Sequence, residues 1–97
     1  MAGVPAARQA LAILTHLASR PGPVGASAIA RDLGLPRSTT YHLLAELAEA
    51  DFVVHLPEDR TYGLGVAAFE VGSAYLRHDP LERLARPLLA RLVAQTG

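Results

Sequence analysis

The sequence predicts a mainly α-helical fold with one small β-hairpin, and three observations support this prediction. Alanine and leucine, both helix formers, account for 18 and 16 of the 97 residues. Apolar residues recur at helical spacing in segments that glycine and proline separate. One short region, 52–64, instead combines β-branched and aromatic residues around a polar turn.

The composition limits both the size and the chemistry of the protein. Ninety-seven residues form one domain with a single modest core, and 51% of them are apolar. The absence of cysteine excludes disulfides, zinc–thiolate sites and thiol nucleophiles. No apolar run approaches the roughly 20 residues of a membrane span, and MAGVPAARQA lacks the apolar core of a signal peptide. We therefore expect a soluble, cytoplasmic chain.

The charges sum to zero but are distributed unevenly. Residues 1–45 carry four arginines and one acid, whereas residues 46–97 carry five arginines and eight acids. No acid occurs between Leu33 and Ala45. A local basic face of this kind is consistent with nucleic-acid binding. Ordinary scatter of charge along the chain explains it equally well, so charge alone leaves both interpretations open.

The first helix is predicted over about residues 5–19. Pro5 suits the first turn of a helix, and Pro21-Gly22-Pro23 forces the helix to stop. Its expected inward residues, at helical spacing, are Ala7, Ala10, Leu11, Leu14, Leu17 and Ala18.

A second, short helix is predicted over about 26–33, and a third from Pro36 to near Ala50. Gly25 or Ser27 can cap the second helix, and Gly34 suits the left-handed residue that follows a helix. The expected inward residues are Ile29, Ala30 and Leu33 on the second helix and Thr40, Leu43, Leu44 and Leu47 on the third.

The turn between these two helices is at most four residues long. The small side chain of Ala30 allows the helices to approach closely, and Gly34 adopts the positive φ that a sharp turn needs. This spacing predicts a helix-turn-helix, in which the second helix lies in the major groove of DNA.

The outward face of the third helix carries side chains that suit DNA. Arg37 can bind guanine through two hydrogen bonds, and the hydroxyls of Ser38 and Tyr41 can reach phosphates or base edges. The helix N-terminus adds free N–H groups and a positive dipole end. The alternative is an ordinary solvated helix face. The predicted outward set is Arg37, Ser38, Tyr41, His42 and Ala45.

A hairpin is predicted from strands at 52–56 and 61–64, joined by a turn at 57–60. It follows the third helix, where a winged helix-turn-helix carries its wing. Tyr62 and Leu64 alternate to one face and are expected in the core.

Arg60 lies at the tip of this hairpin, where a minor-groove or phosphate contact is expected. The equally weighted alternative is a plain exposed turn residue whose charge Glu58 and Asp59 offset. The full set of candidate DNA contacts is Ser27, Arg37, Ser38, Thr39, Tyr41, His42 and Arg60.

Two further helices are predicted after the hairpin. The first spans about 66–77, and Asp79-Pro80 then begins a fifth helix that Pro87 kinks or divides. A leucine stripe on the fifth helix has little core to cover in so short a chain. We expect it to pack against a second copy or against a further domain. The candidate dimerisation residues are Leu81, Leu84, Leu88 and Leu92.

The order of these motifs resembles the N-terminal domain of the IclR family of bacterial transcription regulators, over essentially the whole chain. The motifs are ALAILTHLA, GPVGASAIARDLGLPRSTTYHLLAELAEADFV, TYGLG and FEVGSAYL. The resemblance implies a winged helix-turn-helix at 1–65 that binds double-stranded operator DNA as a homodimer, and linker helices at 66–97. It also implies an absent C-terminal domain that binds a small-molecule effector, because LLARLVAQTG resembles the start of that domain.

Two departures from the family bear on function and folding. His42 stands where the family usually has arginine, so a fixed positive charge becomes a pH-dependent one. Asp51 stands where glycine is common, and aspartate tolerates a left-handed turn conformation better than most residues.

Two other functions compete with DNA binding as interpretations of the sequence. An enzyme is not expected, because His16, His42, His55 and His78 lack metal-ligand spacing and no glycine-rich phosphate loop occurs. We therefore expect no catalytic residue, metal or cofactor. The second rival is a winged-helix module for protein–protein contact or dimerisation. Arg37 and the neighbouring hydroxyls favour DNA over that module.

Overall fold

The computed structural model describes residues 3–78 and 82–96, with side chains described for residues 3–78 and 87–94. This part of the chain forms five helices and a small sheet, and the prediction of a mainly helical fold is confirmed. The elements are α1 Pro5–Ala18, β1 Val24–Gly25, α2 Ala26–Leu33, α3 Arg37–Glu49, β2 Val53–Leu56, β3 Thr61–Leu64, α4 Val66–His78 and α5 Glu82–Thr96.

The core lies where α1, α2 and α3 meet the sheet. Ile13, Ile29 and Leu44, one from each of these helices, are fully buried. Leu17 and Val53 extend the same cluster. Burying an aliphatic side chain of this size contributes about 1.5–3 kcal/mol, so these residues fix the position of α3 relative to the rest of the domain.

The predicted inward stripe of α1 is partly wrong. Ile13 and Leu17, four residues apart, form the buried line, whereas Leu11 is exposed. Two residues along a helix correspond to a rotation of about 200°. Burying Ile13 therefore turns Leu11 towards solvent.

The turn between α2 and α3 has the geometry that the sequence predicts. Gly34 has φ 66° and ψ 33°, in the left-handed region. The N–H of Leu35 donates to the carbonyl of Ala30 at 2.9 Å. Pro36 is the N-cap of α3 rather than its first helical residue. Its carbonyl accepts from both the N–H and the Oγ1 of Thr40, each at 3.0 Å, so the buried hydroxyl is satisfied.

The sheet has three antiparallel strands in the order β1-β3-β2, one strand more than the sequence predicts. The additional strand is β1, which pairs Val24 with Tyr62. The expectation that Tyr62 packs against the core is confirmed. The same expectation for Leu64 is wrong, because that side chain is 43% exposed.

A tight junction connects the end of α3 to the start of α4. Asp51 adopts φ 64°, as its position after the helix predicts. Its carbonyl accepts from the N–H of Ala67 at 2.8 Å, and the carbonyl of Phe52 accepts from the N–H of Gly65 at 2.9 Å. A Cβ at Gly65 would lie 2.5 Å from the carbonyl oxygen of Asp51. Glycine is therefore required for this close approach.

The described side chains of the last two helices cover little of the core, and none on α4 is buried. Pro87 was expected to kink or divide α5, and the division is wrong because Pro87 lies inside a helix that continues to Thr96. Asp79, Pro80 and Leu81 lie outside the described residues, as does the side chain of Leu84. Leu88 and Leu92 are about half exposed. Among the described residues, no helix is long and apolar enough to cross a membrane.

Candidate nucleic-acid interface

The outward face of α3 forms the centre of the site. Thr40 and Leu44 are fully buried on the opposite face, one helical turn apart. Their burial fixes the rotation of the helix about its axis. The sequence prediction of this face is confirmed, since all five of its side chains are exposed: Arg37, Ser38, Tyr41, His42 and Ala45.

The N-terminal end of α3 is open to a ligand. Its N-cap, Pro36, makes no side-chain capping hydrogen bond, and the first N–H groups of a helix have no partner within the helix. Arg37 and Ser38 lie in this first turn, which contains no acidic residue. The N–H groups, the positive dipole end and the guanidinium therefore favour an anion here.

Charge along α3 is separated by position. The acids of the helix, Glu46 and Glu49, lie in its second half and away from Arg37. The nearest acid before α3 is Asp32, whose carboxylate lies 3.2 Å from the Nε of Arg31 and 3.3 Å from the Nε2 of His16. Arg37 forms no salt bridge among the described residues, so its charge is available to a partner.

The hairpin tip places Arg60 in solvent. Arg60 adopts φ 55°, and its N–H donates to the carbonyl of Pro57 at 3.3 Å, which closes the turn. Glu58 and Asp59 are exposed beside it. This position is compatible with both sequence interpretations of Arg60, a DNA contact or a plain turn residue.

The two remaining candidate contacts differ in exposure. Ser27 is exposed in the first turn of α2, whose N-cap, Gly25, has no side chain to cap the helix. Thr39 is half-buried on α3. Ser27 is thus better placed than Thr39 to reach a bound molecule.

The structure adds two residues that sequence reasoning missed, His55 and Tyr62. They form a cross-strand pair of β2 and β3, with ring centroids 4.6 Å apart and planes inclined by 20°. Burial, and secondarily the neighbouring Tyr41, raise the pKa of the Tyr62 phenol above its ordinary value of 10.0. The register of the predicted hairpin could have identified this pair, because strands joined at 57–60 place residues 55 and 62 opposite each other.

A shallow apolar cleft of about 350 Å³ contains none of the candidate DNA contacts. It therefore does not contribute to the interface on α3. The residues that line it are Leu17, Ala18, Arg20, Gly22, Pro23, Val54, Leu56, Gly63 and Leu64.

The described residues include no group of three or more histidine, cysteine, aspartate or glutamate side chains that could hold a metal ion. His16 contacts Asp32 and His55 contacts Tyr62, so these two imidazoles have structural neighbours. The exposed chemistry of the site is that of hydrogen-bond donors and positive charge.

Comparison with known proteins identifies the same region. A family model described as the IclR helix-turn-helix domain matches residues 6–57. The HTH-type transcriptional repressor AllR of Klebsiella pneumoniae is 35% identical over 95 residues, which is 98% of this chain and 35% of AllR. The chain thus spans about a third of the length of the curated relatives it matches.

Solved structures give the same result for the fold. An IclR transcriptional regulator from Alicyclobacillus acidocaldarius matches with a TM-score of 0.73 and 29% identity, over 91% of this chain and 35% of that one. HmgR of Pseudomonas aeruginosa matches with a TM-score of 0.73 and 32% identity, over 88% of this chain and 37% of HmgR. The winged arrangement of α3 and the hairpin is therefore shared with a solved IclR transcriptional regulator.

Proposed function

The chain belongs to the IclR family of helix-turn-helix regulators and is a DNA-binding regulatory domain, and from this premise we propose that α3 reads operator DNA in the major groove. The observation that carries the proposal is the outward face of α3. Arg37, Tyr41 and His42 are exposed there, while Thr40 and Leu44 hold the opposite face in the core. A rigid helix with a donor-rich face and an open N-terminus suits base edges and phosphates.

The proposed contacts follow from side-chain chemistry. Arg37 binds a guanine edge or a phosphate at the entry of the groove, since guanidinium presents paired donors. Ser38, Thr39 and Ser27 donate to phosphates through their hydroxyls. Tyr41 and His42 lie one turn further along α3 and extend the contact. Arg60 contacts the DNA from the hairpin tip.

We further propose the organisation of the whole regulator. Residues 1–65 form the DNA-binding unit, and residues 66–97 form linker helices that lead to a C-terminal domain that binds a small effector. Two copies associate as a homodimer in the cytoplasm, partly through the exposed leucines of α5. Two observations support this organisation: AllR is about three times as long as this chain and is a repressor, and α4 buries no side chain within the chain.

A substitution of Arg37 tests this proposal. The ligand is a duplex that the parent protein selects from a random-sequence library. Arg37→Ala should weaken binding to this duplex by about 1–3 kcal/mol and relax the sequence preference. Fluorescence anisotropy of the labelled duplex measures both. Arg20→Ala is the matched control, because Arg20 is exposed beside the apolar cleft and away from α3.

Two results would contradict the proposal. Unchanged affinity in Arg37→Ala would remove Arg37 from the interface. Absence of salt-dependent binding of the parent to any duplex would favour the rival function, a winged-helix module that contacts only protein.

A further inference from the structure

Three aromatic side chains lie on α3 and on the two strands of the hairpin beside it. Tyr41 lies on the outward face of α3, His55 on β2 and Tyr62 on β3. Tyr62 packs against the core on one side and stacks on His55 on the other. Tyr41, on α3, is the smaller cause of the raised pKa of the Tyr62 phenol. The helix that carries Tyr41 lies beside β2, which carries His55.

The position of these rings relative to bound DNA follows from the proposed function, on which this inference rests. Each edge of the major groove is a sugar-phosphate strand. When α3 occupies the groove, one of these strands passes between α3 and the hairpin beside it. The strand then meets the surface that carries Tyr41 and His55, both of which are exposed.

We propose that Tyr41, Tyr62 and His55 form an aromatic clamp that holds a phosphate of the bound duplex between α3 and the hairpin. Each ring ends in a donor, a phenolic O–H or an imidazole N–H. Phosphate oxygens accept such bonds, and tyrosine hydroxyls are common donors to them. The clamp thus adds His55 and Tyr62 to the DNA contacts on α3.

The stack of Tyr62 on His55 prepares these donors before DNA binds. The stack with His55 restricts both rings, at a centroid distance of 4.6 Å. Groups that are already ordered lose less conformational entropy on binding.

The competing explanation is that the stack only stabilises the hairpin, as cross-strand aromatic pairs do. The two explanations differ in the atoms that they require. A structural stack needs the rings, whereas a phosphate clamp also needs the polar atoms at their edges. Tyr62→Phe keeps the ring and removes only the hydroxyl, and His55→Phe replaces the imidazole by an aromatic ring without polar atoms.

The experiment measures binding of the duplex selected from a random-sequence library to the parent chain and to these two variants. Each variant should bind roughly tenfold more weakly, the loss expected for one hydrogen bond to a charged acceptor. The same loss should occur on a duplex of unrelated sequence, because phosphate contacts are independent of sequence. His78→Phe is the control, since His78 is exposed at the end of α4, and it should bind as the parent does.

A second measurement locates the phosphate. Single phosphates of the duplex are replaced in turn by neutral methylphosphonates. At the clamped position, Tyr62→Phe should no longer weaken binding, because the two changes remove the same contact. Thermal unfolding of each variant controls for folding. If Tyr62→Phe does not fold, the exposed His55→Phe variant decides.

Two results would overturn the clamp, and they are distinguishable. If the parent binds the duplex and the folded variants bind equally tightly, the clamp is wrong and the function of α3 stands. If both variants lose affinity by the same factor at every methylphosphonate position, the rings act only through the fold and the clamp is also wrong. If the parent binds no duplex, the proposed function fails and the clamp fails with it.

Discussion

Two non-glycine residues among those described adopt a left-handed backbone conformation, Asp51 at φ 64° and Arg60 at φ 55°. This conformation costs roughly 1–2 kcal/mol for most side chains, and aspartate tolerates it better than arginine. Asp51 follows Ala50, the C-cap of α3, and the sequence already predicted a left-handed conformation at this position. Arginine lacks this tolerance. The left-handed conformation of Arg60 therefore raises the hypothesis that its side chain has a function.

A glycine at position 60 separates the strain of the backbone from the function of the side chain. Arg60→Gly should raise the free energy of unfolding by about 0.5–1 kcal/mol, because glycine relieves the left-handed conformation but gains entropy when unfolded. It should also weaken duplex binding if the guanidinium contacts DNA. Urea denaturation and fluorescence anisotropy measure the two effects.

Asp51→Gly is the control for this measurement, since Asp51 shares the strain but lies outside the candidate DNA contacts. It should increase stability without loss of affinity. A more stable Arg60→Gly variant with unchanged affinity would show that Arg60 is only a turn residue.

At the scale of single residues, helical spacing predicted the outward face of α3 correctly, because Thr40 and Leu44 share one side of a regular helix. Helical spacing failed for Leu11 and strand alternation failed for Leu64, since both side chains are exposed. Their apolar side chains fit a core pattern, but the core is too small to receive every apolar residue of the chain. The stack of His55 on Tyr62 needed the strand register in addition to the residue types.

At the scale of elements, the start of α4 lies close to the turn that follows α3. Backbone hydrogen bonds from Gly65 and Ala67 to the Asp51–Phe52 turn hold the start of α4 against the end of α3. The contact is close enough that only glycine fits at position 65.

Gly65→Ala tests this close approach. Its Cβ would lie 2.5 Å from the carbonyl oxygen of Asp51, so the backbone has to shift, and overpacking of this kind costs about 1–3 kcal/mol. The free energy of unfolding from urea denaturation should fall by this amount.

The matched control is Gly72→Ala on α4, where a Cβ meets nothing within 4 Å. Alanine there should stabilise the protein by roughly 0.5–1 kcal/mol through its higher helix propensity. Equal effects of the two substitutions would mean that the junction tolerates a side chain and does not constrain α4.

The sequence predicted helices α1 to α4 to within about one residue of their ends, because glycine and proline mark where they stop. It missed β1, which has only Val24 and Gly25. Two residues are too few to show a strand pattern, and only pairing with β3 identifies them as a strand.

At the scale of the whole molecule, large apolar side chains remain in solvent on several helices. Phe69 is 73% exposed, Leu11 63% and Val66 60%. Val66 and Phe69 are three residues apart on α4 and so share one face of that helix, and contiguous exposed apolar surface is typical of interaction sites. The exposed leucines of α5 expected at a dimer interface, Leu88 and Leu92, have the same character.

We predict that two copies of the chain bind one duplex. Sedimentation of the protein with the selected duplex should give a complex with two protomers per DNA. Because a dimer doubles the phosphate contacts, about 6–10 contacts should lower the affinity about 10³–10⁵-fold between 50 and 200 mM salt. Phe69→Ser should reduce the cooperativity of binding. A strict one-to-one complex at saturating protein would contradict the dimer.

The most direct test of the proposal that α3 lies in the major groove is chemical protection of guanine N7, an atom exposed in that groove. At saturating protein, we expect protection from methylation in two clusters on the selected duplex. Their centres should lie about one helical turn apart, roughly 34 Å, or a multiple of it. Arg37→Ala should lose protection in both clusters. Binding without any protection of guanine N7, on a duplex with guanines throughout the site, would show that α3 does not lie in the major groove.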